Sequence, residues 1–392
     1  MNKKTRNIAI IAIIIILISI GVLIIKRNKE KGETATIISK DIEEREEDKS
    51  AVTITEDTEI KNNKITKTGD SSDLQESDKT GKNSAILTEE QKELTIENSE
   101  ITTNGSGASG VAATNKSKVE INNSNITTNA ERSKGLLASG GGKITAKNLK
   151  IKTSGNKSSG AVTDTGGGNL KIEDSTIETT GVHSAGIYST DRITAKNVNI
   201  KTEQSTTAVI DGTGRMDLYN CNLISGGKRT IYIYCTGEGK SSIKGQFTMR
   251  GGSLTSQNGP VFYVTNTTAE IELDNVEINA QNGILLKAIT DNSDLGMEYE
   301  NKSEKGGDVV ITARDQKLEG GFVIDKESTL NLTLESGSTL KGYINKENTA
   351  KNVKLTVEDG CTIELTENCY VDELNISKNA IIIENGFKII QK

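Results

Sequence analysis

Aromatic side chains are scarce in this 392-residue chain: they make up 3% of positions, and tryptophan is absent. A globular enzyme of this length normally fills its core with more aromatic volume. Proline is almost missing, with Pro260 the only one, and His183 is the only histidine. Cysteine is sparse too: Cys221, Cys235, Cys361 and Cys369. Four cysteines in this length exclude a disulfide scaffold, and neither sequential pair has the C-x-x-C spacing of zinc or redox sites. Two disulfides, Cys221–Cys235 and Cys361–Cys369, are open to the chain if the domain is extracellular. The other reading is four inert thiols at core positions. The net charge is −6 with both signs interspersed, so no basic field exists and nucleic acid is excluded as the expected partner.

What is abundant is glycine, at 38 residues, together with Thr, Asn, Ser and β-branched Ile and Val. That mixture favours many short strands joined by tight turns. The N-terminus differs. After a short basic tail (1–7), Ile8 to Ile25 is apolar except for Ser19 and Gly21, close to the ~20 residues a membrane-spanning helix needs. A cleaved signal peptide is the competing reading, but the small-x-small triplet Ser19-Ile20-Gly21 lies inside the run, and the run exceeds a usual signal core. An uncleaved single-pass anchor over 8–25 is therefore expected. No cysteine follows it, so a lipoprotein is not indicated. Basic residues flank both ends, so charge does not set the orientation. An extracellular body is expected from the short tail and the Thr/Asn-rich repeats. Residues 26–50 are strongly charged and read as a solvated stalk.

From 51 to 392 the chain repeats itself. Units begin at Glu93, Lys118, Lys143, Asn169, Arg192, Arg215, Gln246 and Glu270. Within each, two apolar residues alternate at period two (Leu94 and Ile96, then Val119 and Ile121), which marks a strand with one buried face. A third apolar residue (Ile101, Ile126, Ile151, Ile177) opens a second strand after a corner. At that corner stands a column: Asn98, Asn123, Asn148, Asp174, Asn197, Asn220 and, past Gly251, Asn275. Asn and Asp tolerate left-handed backbone and bond locally to it. A Thr column follows at Thr103, Thr128, Thr153, Thr179 and Thr202. Outward positions alternate in sign (Lys152, Glu178, Lys201), as parallel in-register stacking at ~4.8 Å favours. Three short strands per unit of ~22–25 residues is the period of a parallel β-helix. The Leu-rich signature and helical side of a leucine-rich repeat are missing. Insertion loops are expected at about 68–82 and 289–307, with weaker coils afterwards and the apolar stretch Ile381 to Ile390 closing the end.

The Asn column, the Ile-x-Thr corner and Gly186-Ile187-Tyr188-Ser189-Thr190 resemble the right-handed parallel β-helix surface proteins of Gram-positive bacteria, which include carbohydrate-binding β-helix domains and pectate-lyase-like adhesive domains. The resemblance spans Ala51 to the C-terminus. It is specific for an all-β solenoid fold and weak for activity, because such folds carry many functions.

Motifs with chemistry are few. Gly105 to Gly110 matches G-x-G-x-x-G but has no helix after it, and Gly239-Lys240-Ser241 lacks the leading Gly of a phosphate loop, Tyr234 standing there. His183 lacks the Gly-His-Gly and Arg-x-Lys companions of polygalacturonase-like enzymes and reads as a turn residue. The acids are spread over coils, with Asp211 and Asp217 the only weak candidate pair. No cofactor or metal is expected. One feature stands out: two adjacent columns in the third strand are both apolar, one of them containing Tyr188, Ile210, Tyr232 and Phe262. Adjacent strand residues face opposite ways, so one column points outward, as a ligand platform or a partner interface, unless an insertion loop covers it. The sequence thus points to a membrane-anchored, non-catalytic surface module that binds a glycan or a surface protein through this stripe. A passive spacer self-associating through the stripe is the alternative, and a polysaccharide lyase or hydrolase a more distant one.

Overall fold

A computed structural model describes residues 24–28, 34–236, 244–290 and 305–392. The 8–25 anchor lies outside the described residues except for Ile24 and Ile25, which sit in a strand, Ile24–Asn28. The Gly239-Lys240-Ser241 triplet and most of the 289–307 insertion lie outside them too. No described helix is long and apolar enough to cross a membrane.

The chain winds into a parallel β-solenoid of about 14 turns, its third strands forming one sheet of 14 strands. All eight unit starts stand in one register column, from Glu93 beside Lys118 through to Gln246 beside Glu270. Each early coil places its first strand (Glu93–Glu97 in one coil), a corner, its second strand (Glu100–Thr103) and its third (Val111–Ala113). In two later coils the first and second strands run through the corner unbroken, Arg215–Ser225 and Lys244–Ser256, which joins both columns into a single 23-stranded sheet. From Gly307 the coils carry two longer strands, such as Gly307–Arg314 and Lys317–Ile324.

The corner is built by backbone chemistry. Asn98, Asn123, Asn148, Asp174, Asn197, Asn220 and Asn275 all have φ between 49° and 55°, and Gly251 fills the gap at 64°. Each Asn amide still reaches the next coil: the N–H of Asn123 donates to the Lys147 carbonyl, and that of Asn148 to the Glu173 carbonyl, both at 3.0 Å. Side chains add a ladder, with Asn148 Nδ2 donating to Asn123 Oδ1 (2.7 Å) and Asn197 Nδ2 to Asp174 Oδ1 (2.9 Å). Asn62 (φ 57°) and Asp315 (φ 48°) extend the column at its two ends. Just inside the corner, serines cap the freed backbone: Ser124 Oγ accepts from the Ser99 N–H at 3.0 Å. The Thr column works similarly, as Thr128 and Thr179 donate to the Ser133 and Ser184 carbonyls, each at 2.6 Å. Inward Ile, Leu and Val positions make one continuous core from Ile38 to Val371. Each fully buried aliphatic side chain contributes about 1.5–3 kcal/mol. The outward ion pairs, such as Lys152–Glu178 at 3.0 Å, are exposed and each contributes roughly 0–1 kcal/mol.

The charged stretch 26–50 is not a solvated stalk throughout. Thr34–Ile38 pairs with Thr58–Lys61, and Ile42–Glu44 with Lys64–Lys67. Ile38 and Ile42 supply the inward positions. The high charge density hid this, because most of those charges occupy outward or turn positions. The inward Glu44 is compensated: its Oε1 accepts the Arg45 and Glu46 N–H groups (2.9 Å each), and Lys49 pairs with it at 3.2 Å.

Candidate functional site

The register of the third strands decides which side chains face out. Val111, Leu136, Ala161, Ile187, Ala208, Ile231 and Phe262 share one column; Ala112, Leu137, Val162, Tyr188, Val209, Tyr232 and Tyr263 share the next. The second column faces outward. Ile210 and Phe262, expected there, point into the core instead, and the Phe262 ring meets Phe247 edge-on at 5.7 Å. The turns before these strands differ by a residue from coil to coil. At a side-chain period of two, such a slip exchanges the faces. Aligning Tyr188 with Tyr232 and Tyr263, rather than counting from the preceding glycine, gives the observed register.

The outward stripe is covered, not displayed. At one end lies a short helix, α1 (Leu74–Thr80), inside the expected 68–82 insertion. Asp73 caps its start by accepting from the Gln75 and Glu76 N–H groups at 3.0 Å, and Gly81 ends it at φ 71°. Gly81 approaches the sheet so closely that a Cβ there would sit 2.4 Å from that of Ala112. Asp78 latches the helix down, its carboxylate pairing with both Arg132 and Lys134. Under this cover Leu87, Ala112, Leu137 and Val162 form a buried patch. At the other end Tyr232 stacks on Tyr234 (4.5 Å, 3°) and meets Tyr263 edge-on (5.7 Å, 71°). The Arg229 guanidinium lies 4.2 Å over the Tyr232 ring. Tyr232 is left 2% exposed, so there is neither a flat aromatic platform for glycans nor an open stripe for self-association.

Between these two covers a cleft of about 320 Å³ remains, with Val162 and Tyr188 on its lining. That is at the small end of the roughly 300–1,000 Å³ of small-molecule sites. Its two banks come from different turns. Arg132, Lys134, Lys157 and His183 precede the third strands, whereas Asp164, Thr190 and Thr236 follow them and Asp211 ends one. Asp211 is buried and held by donors: Tyr188 Oη at 2.9 Å, the Thr236 N–H at 2.9 Å and Thr236 Oγ1 at 3.0 Å. Tyr188 and Tyr234 hydroxyls lie 3.1 Å apart. Burial raises the Asp211 carboxyl above its ordinary value, against the pull of those hydrogen bonds. Burial, reinforced by the charge of Asp211, pushes the Tyr188 hydroxyl well up, and burial does the same for Tyr234. Both phenols therefore stay protonated at neutral pH and serve as hydrogen-bond donors rather than bases.

Asp217, the suggested companion of Asp211, belongs to the other sheet. It is bound there by Arg215 (2.8 Å) and Arg192 (3.1 Å), so the two acids form separate arrangements. His183 is an exposed turn residue at φ 58° on the rim of the cleft. The four cysteines are free and buried, so neither disulfide forms. Cys221 faces the core beside the Asn220 corner, whereas Cys235 follows a third strand. Burial raises the thiols of Cys221 and Cys235, and that of Cys369 to about 11. Sequence reasoning missed Asp78, because α1 lies in an insertion outside the repeat, and Lys157, Asp164, Thr190 and Thr236, because turn residues carry no periodic signal.

A family model for the right-handed β-helix region matches residues 50–197 and 84–247, together just over half of the chain. No curated protein matches the sequence. The coil register, the left-handed Asn corner and this match agree: the chain belongs to the right-handed β-helix family.

Proposed function

We propose that this protein is a non-catalytic binding module presented at the cell surface by its N-terminal apolar segment, and that it holds one sugar residue of a glycan in the cleft over Val162 and Tyr188. The observation that carries the reading is the cleft itself: a concave site on an otherwise covered sheet, with one tyrosine, several hydroxyls and charges of both signs around it. Small polar ligands are recognised by such a mixture of an apolar floor and a few placed polar groups. A third strand of three residues spans ~10 Å at about 3.3 Å per residue, wide enough for one pyranose ring and its substituents. Asp211 and Tyr188 hold each other, so the rim groups are the ones left for hydroxyl contacts.

The test is a glycan array followed by titration calorimetry on the full chain in detergent micelles, with two variants that alter the cleft, Tyr188→Ala and Thr190→Trp. Lys152→Ala, on the other sheet, is the control. Binding retained by Lys152→Ala and lost or weakened at least tenfold in both cleft variants is the expected result. Binding unaffected by either cleft variant would place the ligand elsewhere and sink the reading.

A further inference from the structure

The charges of the cleft are not equally committed. Arg132 and Lys134 share the Asp78 carboxylate, and Asp211 is engaged by Tyr188 and Thr236. Two charges remain. Lys157, half-buried in the turn at φ 54°, makes no ion pair among the described residues. Asp164, also half-buried, accepts only from the N–H (2.7 Å) and Oγ1 (3.1 Å) of its neighbour Thr165. They belong to the same coil: Lys157 sits in the turn four residues before the strand Ala161–Thr163, and Asp164 directly follows it. The cation therefore lies on the bank that precedes the strand and the anion on the bank that follows it. No ion pair joins them among the described residues, which leaves both unneutralised beside a low-dielectric floor.

We infer that the cleft takes a zwitterionic sugar, its carboxylate on Lys157 and its ammonium group on Asp164. This rests on the sugar-binding reading above and adds the substrate class. A pyranose with an amino group at C2 and a carboxylate on C5 carries its charges on opposite ring atoms. Such a ring presents one charge to each bank, where a charge-assisted hydrogen bond can hold it.

The experiment is titration calorimetry on the full chain in detergent micelles with four probes: 2-amino-2-deoxyglucuronic acid, glucuronic acid, glucosamine and glucose. Each hydrogen bond to a charged group contributes about 1.5 kcal/mol at the low end, so the zwitterion is expected to bind about tenfold tighter than either singly charged sugar. Lys157→Gln should erase its advantage over glucosamine, and Asp164→Asn its advantage over glucuronic acid. Both residues lie in turns without ion pairs, so circular dichroism and melting should match the wild type. Glucose binding as tightly as the zwitterion, or a preference that survives both substitutions, overturns the inference while leaving a sugar site intact. Binding of none of the four probes overturns the sugar reading and this inference with it.

Discussion

Replacing Asp78 with asparagine should release one wall of the cleft without unwinding the solenoid. Asp78 pairs with both Arg132 and Lys134, and the three side chains are only 8–13% exposed. Removing one partner of a buried ion pair costs about 3–5 kcal/mol. Solvent in the adjoining cleft lowers that here to about 2–3 kcal/mol, because partial exposure raises the effective dielectric. The loss falls on α1 alone. Its N-terminal end is fastened separately, by Ser77 Oγ donating to Ser71 Oγ (2.6 Å) and by the Ser72 N–H donating to Asp48 (3.0 Å), whereas the end facing Ala112 depends on Asp78. At 1.36 kcal/mol per decade, local opening becomes roughly 30- to 150-fold more frequent. Hydrogen exchange followed by mass spectrometry reads this directly: the amide of Gly81, bonded to the Ser77 carbonyl at 3.0 Å, should lose protection by that factor. The second-strand amides should keep theirs. Lys79→Gln, an exposed and unpaired neighbour, should leave exchange unchanged. Equal protection of α1 in wild type and Asp78→Asn would refute the latch, and loss of protection throughout the solenoid would show that Asp78 supports the whole fold.

At the corner, Asn148→Ala should destabilise by about 1.5–2.5 kcal/mol, because left-handed backbone costs a non-Gly residue roughly 1–2 kcal/mol and the bond to Asn123 is lost. Asn148→Gly should cost less, and urea melts that rank Ala above Gly would reverse the explanation. Asp211, raised by burial, binds more protons folded than unfolded in the interval just above the ordinary carboxylate value. Its contribution to stability is therefore fully present below that interval and lost as pH rises through its folded value. Melting from pH 3.5 to 7 should show the wild type losing ground to Asp211→Asn with rising pH, and a flat difference would contradict the assignment. The buried thiols, Cys369 at about 11 among them, should resist a thiol reagent at pH 8 in the folded protein, and all four should react in urea. Fast native labelling of more than one would show that the coils open at the core.

Much of the solenoid was legible in the chain, for a physical reason. A parallel stack in register repeats each environment every coil, so inward Ile, left-handed Asn and closing Thr recur as columns; Ile151 and Asn148 declare their roles through Ile126 and Asn123. The apolar pair of columns in the third strand was read as an open binding stripe, whereas most of its outward side chains are buried. Tyr188 and Tyr232 were legible as outward residues, but Ile210 and Phe262 were misplaced there. One residue more or less in a turn costs the chain little, yet it sends Ile210 and Phe262 inward and brings Val209 and Tyr263 out. The stalk was misread because charge density describes the outward half of a strand and is silent about Ile38 and Ile42 on the inward half. The cleft was decided by tertiary structure alone. Asp78 finds Arg132 and Lys134 at separations of 54 and 56 residues, and Tyr188 finds Asp211 one coil away. Local periodicity is set by backbone geometry and the burial of one face, which any short window of sequence records. A loop folding back over a sheet is set by shape and charge meeting across the whole molecule, and only the folded chain brings those partners together.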